Sequence, residues 1–184
     1  MKDGAAPSVP FALRAARESD VSAIAALYGH YVRISAATFD LVPPTEKEMA
    51  RRHGDMVAAG LPFLVASEAS SGRLLGFAYA GYFRPRPAYR FTLEDSIYVA
   101  PAVTRCGIGR ALLARLIADA TARGFRQMIA MIGDSGNAAS IGLHEQAGFA
   151  RAGLLPAAGF KLGRWIDCVV MQRSLGEGSA TPPV

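Results

Sequence analysis

The sequence predicts a single α/β domain, a mixed sheet with helices on both faces. Three observations carry this. Segments of helical apolar spacing and segments of apolar runs or alternation follow one another in the order β-α-α-β-β-β-α-β-α-β-β. The alternating stretch Phe91–Val99 leads through two close glycines, Gly107 and Gly109, into a long helical stretch. And 184 residues, 51% hydrophobic and 19% charged, suit one sizeable core.

Met1–Val9 and Gly176–Val184 read as flexible ends around a domain spanning 10–175. Phe11–Ala16 is the first strand. Ser19 or Asp20 caps a helix whose apolar positions Val21, Ile24, Tyr28, Tyr31 and Val32 share one face. Pro43-Pro44 breaks the chain. Thr45 with Glu48 then forms a capping box for a second helix ending near Ala59. After Gly60 the pattern becomes β, and Phe63–Ser67 with Leu74–Tyr82 make an antiparallel hairpin through Ser70-Ser71-Gly72. Phe83–Arg90 (FRPRPAYR) is a proline-interrupted loop before the central strand, Phe91–Val99. Ile108–Arg123 is a helix with Gly124 as its C′ residue. The apolar Gln127–Ile132 suits an interior strand, and Ala138–Ala147 a helix closed by Gly148. Arg151–Phe160 and Arg164–Arg173 make a last hairpin.

Bulk properties exclude several classes. No apolar run approaches the roughly 20 residues of a membrane span, and MKDGAAPSVP has no apolar signal core. A cytoplasmic address with no membrane partner is the expectation. The formal charge of +5 is carried by dispersed arginines, lysine being confined to Lys2, Lys47 and Lys161. Without clustering or interleaved aromatics, no nucleic-acid partner is expected. Cys106 and Cys168 have neither metal-ligand spacing nor the number for a disulfide framework, so no metal is expected. Cys106 reads as a small packing residue, Trp165 as a packing residue near the last hairpin, and His30 and His53 as surface residues.

The chemistry concentrates between Glu94 and Phe149. Gly107 and Gly109 lack side chains, so an anion could approach the free N–H groups at the helix start, where the dipole favours it. Arg105 and Arg110 flank the turn. An ordinary structural helix start fits the same residues. A P-loop does not, since no G-K-[ST] follows. Nor does the dinucleotide fingerprint, because Arg110-Ala111-Leu112 brings no third glycine. Alternation puts Thr92, Glu94, Ser96 and Tyr98 on one strand face, with Phe91, Leu93, Ile97 and Val99 on the other. Glu94 is then either a general base in a cleft or a solvated glutamate. Together the pieces point to a transferase with a pyrophosphate-containing cofactor.

At residue level the chain resembles the GNAT superfamily of N-acetyltransferases, and within it the phosphinothricin and methionine sulfoximine N-acetyltransferases. The matching words are TFDLVPPT (Thr38–Thr45), AYAG (Ala78–Gly81), AYRFTLEDSIYV from Ala88, RCGIGRALL from Arg105, IGDSGNAASIGLHEQAGF from Ile132 and AAGFKLGRWID from Ala157. They cover roughly residues 11–173. The resemblance implies the acyl-CoA N-acyltransferase fold, a mixed, mostly antiparallel sheet flanked by helices. It implies acetyl-CoA as co-substrate, no metal, and a homodimer. By position, Arg105, Cys106, Gly107, Ile108, Gly109 and Arg110 would cradle the CoA pyrophosphate. Ile97, Tyr98 and Val99 would bond pantetheine, and Asn137 with Ser140 would contact CoA. Glu94 matches the general base. Arg84 and Arg86 match positions that hold an amino-acid substrate, and Phe39 and Tyr89 would shape its pocket.

Two departures qualify the match. Thr104 stands where the glycine signature normally begins with Gln or Arg. His144 replaces the tyrosine that often serves as general acid toward the CoA thiolate, leaving His144, as acid or as a structural histidine, with Tyr98 as a rival acid. The implied reaction is acetylation of a small amino acid with a tetrahedral side-chain terminus. The alternatives are another acceptor (a polyamine, an aminoglycoside or a protein N-terminus) and a non-catalytic CoA-binding sensor.

Overall fold

Seven strands take the order β1-β2-β3-β4-β5-β7-β6 in one sheet. The computed structural model describes residues 9–183, so the expected flexible N-terminus lies, Val9 apart, outside the described residues. The strands are β1 (Phe11–Ala15), β2 (Phe63–Glu68), β3 (Leu74–Tyr82), β4 (Thr92–Val99), β5 (Gln127–Gly133), β6 (Ala150–Lys161) and β7 (Arg164–Ser174). The helices are α1 (Val21–Ile34), α2 (Glu46–Ala58), α3 (Ile108–Ala122) and α4 (Ala138–Gln146). Every neighbouring pair is antiparallel except β4 with β5. Helix α3 is the crossover that a parallel pair requires.

The alternation read from sequence builds two cores. On one face, Phe63, Val65, Phe77 and Tyr98 meet Val21, Ile24, Tyr28 and Val32 of α1 and Met49 of α2. On the other, Leu64, Ala78, Leu93, Met128 and Met171 meet Leu112, Leu113 and Leu116 of α3 and Ile141 of α4. Completely burying a side chain such as Phe77 stabilises the fold by about 1.5–3 kcal/mol. Strand β5 lies between β4 and β7, which explains its unbroken apolar run.

Local details differ from expectation for identifiable reasons. The Asp20 carboxylate caps no α1 amide; it takes the Arg14 guanidinium at 2.6 and 2.8 Å and the Arg17 N–H. Thr45 accepts from Glu48 N–H at 3.2 Å, but Glu48 turns its carboxylate to Arg51 and Arg52, so the capping box is half made. His53 is not a surface residue: it is buried edge-on against Phe63, with Nε2 3.4 Å from the Ala16 carbonyl. Trp165 is 64% exposed, touching the neighbouring ring of Phe160. After β7, Leu175 is buried and donates to the Arg126 carbonyl, and Arg126 reaches Glu177 at 3.3 Å.

The last residue of β5 is a place where only glycine fits. A Cβ on Gly133 would collide with the backbone carbonyl of Ala36, which cannot swing aside. Gly54, exposed on α2, has nothing within 4 Å of its missing Cβ. Thermal unfolding should therefore show Gly133→Ala lowering the midpoint sharply, while Gly54→Ala raises stability by about 1 kcal/mol through helix propensity.

Candidate active site

Strand β4 pairs with β3 from Leu93 to Val99, but with β5 only from Thr92 to Asp95. Past Ala130, β5 keeps its pairing with β7 alone, Met131–Gly133 against Val170–Cys168. The two parallel strands thus part after the Asp95/Ala130 pair and open a V. The start of α3 and one side of α4 border the gap, making a cleft of about 810 Å³. All the residues assigned to cofactor binding from sequence line it: Ile97, Tyr98, Val99, Arg105, Cys106, Gly107, Ile108, Gly109, Arg110, Asn137 and Ser140.

The glycine turn has the backbone of an anion cradle. Gly107 has φ 80° and Arg105 φ 61°, both in the left-handed region that turns the chain sharply into α3. The first α3 hydrogen bond runs from Ala111 N–H to Gly107 O at 3.0 Å. The amides of Ile108, Gly109 and Arg110 precede it and are left without intrahelical acceptors. A Cβ at Gly107 would meet nothing within 4 Å, so conformation, not space, selects glycine there. Arg105 and Arg110 are exposed beside the turn. Thr104 Oγ1 donates locally, to the Pro101 carbonyl at 3.3 Å. On the other wall, Asn137 caps α4 by accepting from Ser140 N–H at 3.1 Å.

Glu94 projects from the opposite face of β4, toward the α1/α2 side. Burial, the largest influence, pushes its carboxyl above the ordinary range; Arg84 works against this and the neighbouring Asp95 charge adds to it. The Arg84 guanidinium stands 3.7 Å from Glu94 Oε2 and stacks on the Phe83 ring. Tyr89 packs edge-on against the same ring, while Arg86 is exposed. Phe39 lies against Gly133 and Gly159, fixing the middle of the α1–α2 connection beside β5 and β6. Tyr98 is only 5% exposed, stacked on Phe77 and edge-on to Tyr28. Burial raises its phenol well above 10.

His144 sits at the closed end of the V with both ring nitrogens occupied. Nδ1 is 2.7 Å from the Ser140 carbonyl and Nε2 is 3.0 Å from Asp95 Oδ2.

Comparison with known proteins decides the family. Residues 26–149 match the Acetyltransferase (GNAT) family. The chain belongs to the GNAT family. It is an N-acetyltransferase. It is 53% identical to a phosphinothricin N-acetyltransferase of Alcaligenes faecalis, over 93% of this chain and 86% of that protein. An L-methionine sulfoximine/L-methionine sulfone acetyltransferase of Pseudomonas aeruginosa is 38% identical over 92% of this chain and 98% of its own. A GNAT phosphinothricin acetyltransferase from Sinorhizobium meliloti, solved in complex with AcCoA, superposes with TM-score 0.91 at 46% identity, covering 95% of this chain and 93% of that one.

In this GNAT enzyme, sequence reasoning missed three features. Asp95 shares strand parity with Leu93 and Ile97, so it belongs to the face read as apolar; an acid on that face was itself the signal of a buried partner. Tyr28, Thr38, Asp40 and Arg52 form a connected polar cluster on the Glu94 side, with Tyr28 hydroxyl 2.8 Å from Thr38 and 2.9 Å from Asp40, and Arg52 3.2 Å from Asp40. Lys161, at the end of β6, is 4% exposed and donates to the Thr38 carbonyl at 2.6 Å. That bond ties the last hairpin to the loop carrying Phe39. Among the described residues there is no cluster of three metal-ligating side chains, and no helix long and apolar enough to cross a membrane. Replacing Lys161 by Met keeps the buried stem but leaves the Thr38 carbonyl without its donor. Denaturant unfolding should register a loss of about 1–3 kcal/mol, against no change if the ammonium were idle.

Proposed function

We propose that this enzyme moves acetyl from acetyl-CoA to the α-amine of a small amino-acid-like substrate of the phosphinothricin, methionine sulfoximine or methionine sulfone kind. The observation that carries the reading is the two-sided use of β4. One edge opens into a cleft with an anion cradle, and Glu94 beside Arg84 projects from the other face of the same strand, one residue before Asp95 at the vertex. Domain 10–175 supplies every residue the reading needs.

The chain's own groups divide the work. The amides of Ile108–Arg110, with Arg105 and Arg110, suit a pyrophosphate, and the released edge of β4 at Ile97–Val99 suits the pantetheine amides. Asn137 and Ser140 border the same cleft. Arg84 and Arg86 present cations to the carboxylate or acidic terminus of the acceptor, with Phe39 and Tyr89 bounding its side chain. An α-amine with a pKa near 8 must lose a proton before attack. Glu94 accepts it, and its raised pKa makes it a better base than a solvated carboxylate. A strand amide supports the oxyanion. Holding the two substrates together supplies much of the acceleration. Tyr98 is ill-suited as acid, because a phenol pushed well above 10 gives up its proton less readily than an ordinary one.

A second copy of the chain is the partner this reading implies. Leu154, Leu155 and Phe160 of edge strand β6, Leu162 of the turn and Trp165 of β7 are each 47–64% exposed, a concentration of apolar surface on the last hairpin. Sedimentation should show a dimer that Trp165→Asp with Phe160→Asp converts to monomer; a wild-type monomer at micromolar concentration contradicts the pairing.

Free-thiol release from acetyl-CoA, measured across phosphinothricin, methionine sulfoximine, methionine sulfone, spermidine, an aminoglycoside and a short peptide, tests the reaction. Turnover should saturate with the amino-acid analogues alone. Turnover only with cationic amines or the peptide removes the acceptor assignment, and acetyl-CoA binding without any turnover favours a sensor. Glu94→Gln should lower kcat by about 10²–10⁴-fold; unaltered turnover excludes this base. Because Glu94 must be ionised, kcat/KM should fall as pH drops through its raised pKa. Arg84→Ala removes the cation that lowers that pKa, so the acid limb should move to higher pH while acceptor KM rises.

A further inference from the structure

His144 lines the cleft, yet the geometry leaves it no nitrogen with which to act on a ligand. The Ser140 carbonyl only accepts, so the Nδ1 facing it carries hydrogen. On the other side, Nε2 faces the Asp95 carboxylate at 3.0 Å, with the two side chains 5% and 2% exposed. Two acceptors on two nitrogens fit an imidazolium paired with an ionised carboxylate. A neutral ring would require a protonated Asp95 instead.

The charges around the pair favour the ionic form. Burial opposes the His144 charge, but the Asp95 hydrogen bond and charge and the Ser140 carbonyl outweigh it, holding the imidazole above its ordinary pKa. The neighbouring acid whose charge reaches Asp95 is Glu94. Glu94 projects from the other face of β4, and β5 carries no titratable side chain. On α4, Glu145 is taken by Arg151, and Arg173 of β7 donates to the Ala147 carbonyl. Arg110 and Cys106 lie on the facing cleft wall, at the start of α3. Phe149 covers the ring edge-on at 5.0 Å.

The position of the pair matters as much as its charge. Asp95 is the last β4 residue paired with β5, at the vertex of the V, and His144 lies on the helix that borders the opening. The second Asp95 oxygen, Oδ1, is buried without a protein partner. Orphaned buried acceptors are rare and call for an explanation. Here the carboxylate is held by its His144 bond at the cleft wall.

We propose that Asp95 is a positioning residue which, through His144, latches α4 to β4 at the vertex of the cleft, and that His144 serves this latch and not as proton donor to the leaving thiolate. The proposal rests on the acetyl-transfer reading above. When the C–S bond breaks, its electron pair stays on sulfur. A thiol with a pKa near 8.5 leaves tolerably as thiolate at neutral pH, and water at the cleft mouth supplies its proton.

The test that needs no activity is the ring ¹⁵N spectrum of histidine-labelled enzyme, with His144 assigned by its loss in His144→Gln. Both nitrogens should show imidazolium shifts at neutral pH, and Asp95→Asn should return the ring to neutral. A neutral wild-type ring overturns the latch, even if no acceptor amine is ever found. Kinetics supply the second arm. A glutamine can still donate to Asp95, so His144→Gln should keep kcat within about tenfold of wild type while His144→Ala raises acetyl-CoA KM. A 100-fold or greater loss of kcat in His144→Gln at unchanged KM is the signature of a lost proton donor and overturns the proposal. The sign of the pH effect follows from the raised pKa. The latch is complete at low pH and weakens as pH rises through the folded His144 value, so acetyl-CoA KM should climb on the alkaline side in wild type and stay flat in Asp95→Asn.

Discussion

Hydrogen bonding between β4 and β5 stops after four residues, at Asp95 and Ala130, although both strands continue. Each strand is held from outside, β4 by β3 and β5 by β7, so neither can bend across to close the gap. That constraint creates the cleft. It releases one edge of β4 for a ligand, brings the start of α3 to one side and places α4 on the other. A backbone feature, more than any single side chain, decides where the cleft opens.

The alternation of β4 then assigns different work to its two faces. Glu94 and Tyr98 face the α1/α2 layer, where Arg84 and the Tyr28–Thr38–Asp40–Arg52 cluster stand. Leu93, Asp95 and Ile97 face α3 and α4, where the only polar member meets His144. Adjacent acids therefore have different environments. Glu94 is partly open and pushed up by burial, whereas Asp95 is closed in and paired with an imidazole. One residue of register separates a candidate base from a structural ion pair.

The wall that carries Phe39 depends on close packing across distant segments. Gly133 and Gly159 leave room for the loop that carries Phe39, and Lys161 bonds the carbonyl at its Thr38. These three contacts join β5, β6 and the α1–α2 connection into one wall. Burial of the Lys161 ammonium lowers its pKa, a cost offset in part by Asp40 nearby.

The sequence by itself determined the order and kind of the elements, because the period of the apolar pattern reports which face of a helix or strand is buried. It also marked the glycine turn and Glu94, since left-handed backbone and an acid among strand residues leave local signatures. The words shared with GNAT enzymes extended that reading to Asn137 and His144. What it missed depends on contacts between residues far apart in the chain. Asp95 finds His144 across 49 positions and Lys161 finds Thr38 across 123. No local period encodes such pairings. Only the tertiary structure could decide that His53 is buried, that Trp165 is exposed, and that both nitrogens of His144 are already taken. Burial and hydrogen-bond partnership belong to the packed chain, and residue type alone does not fix them.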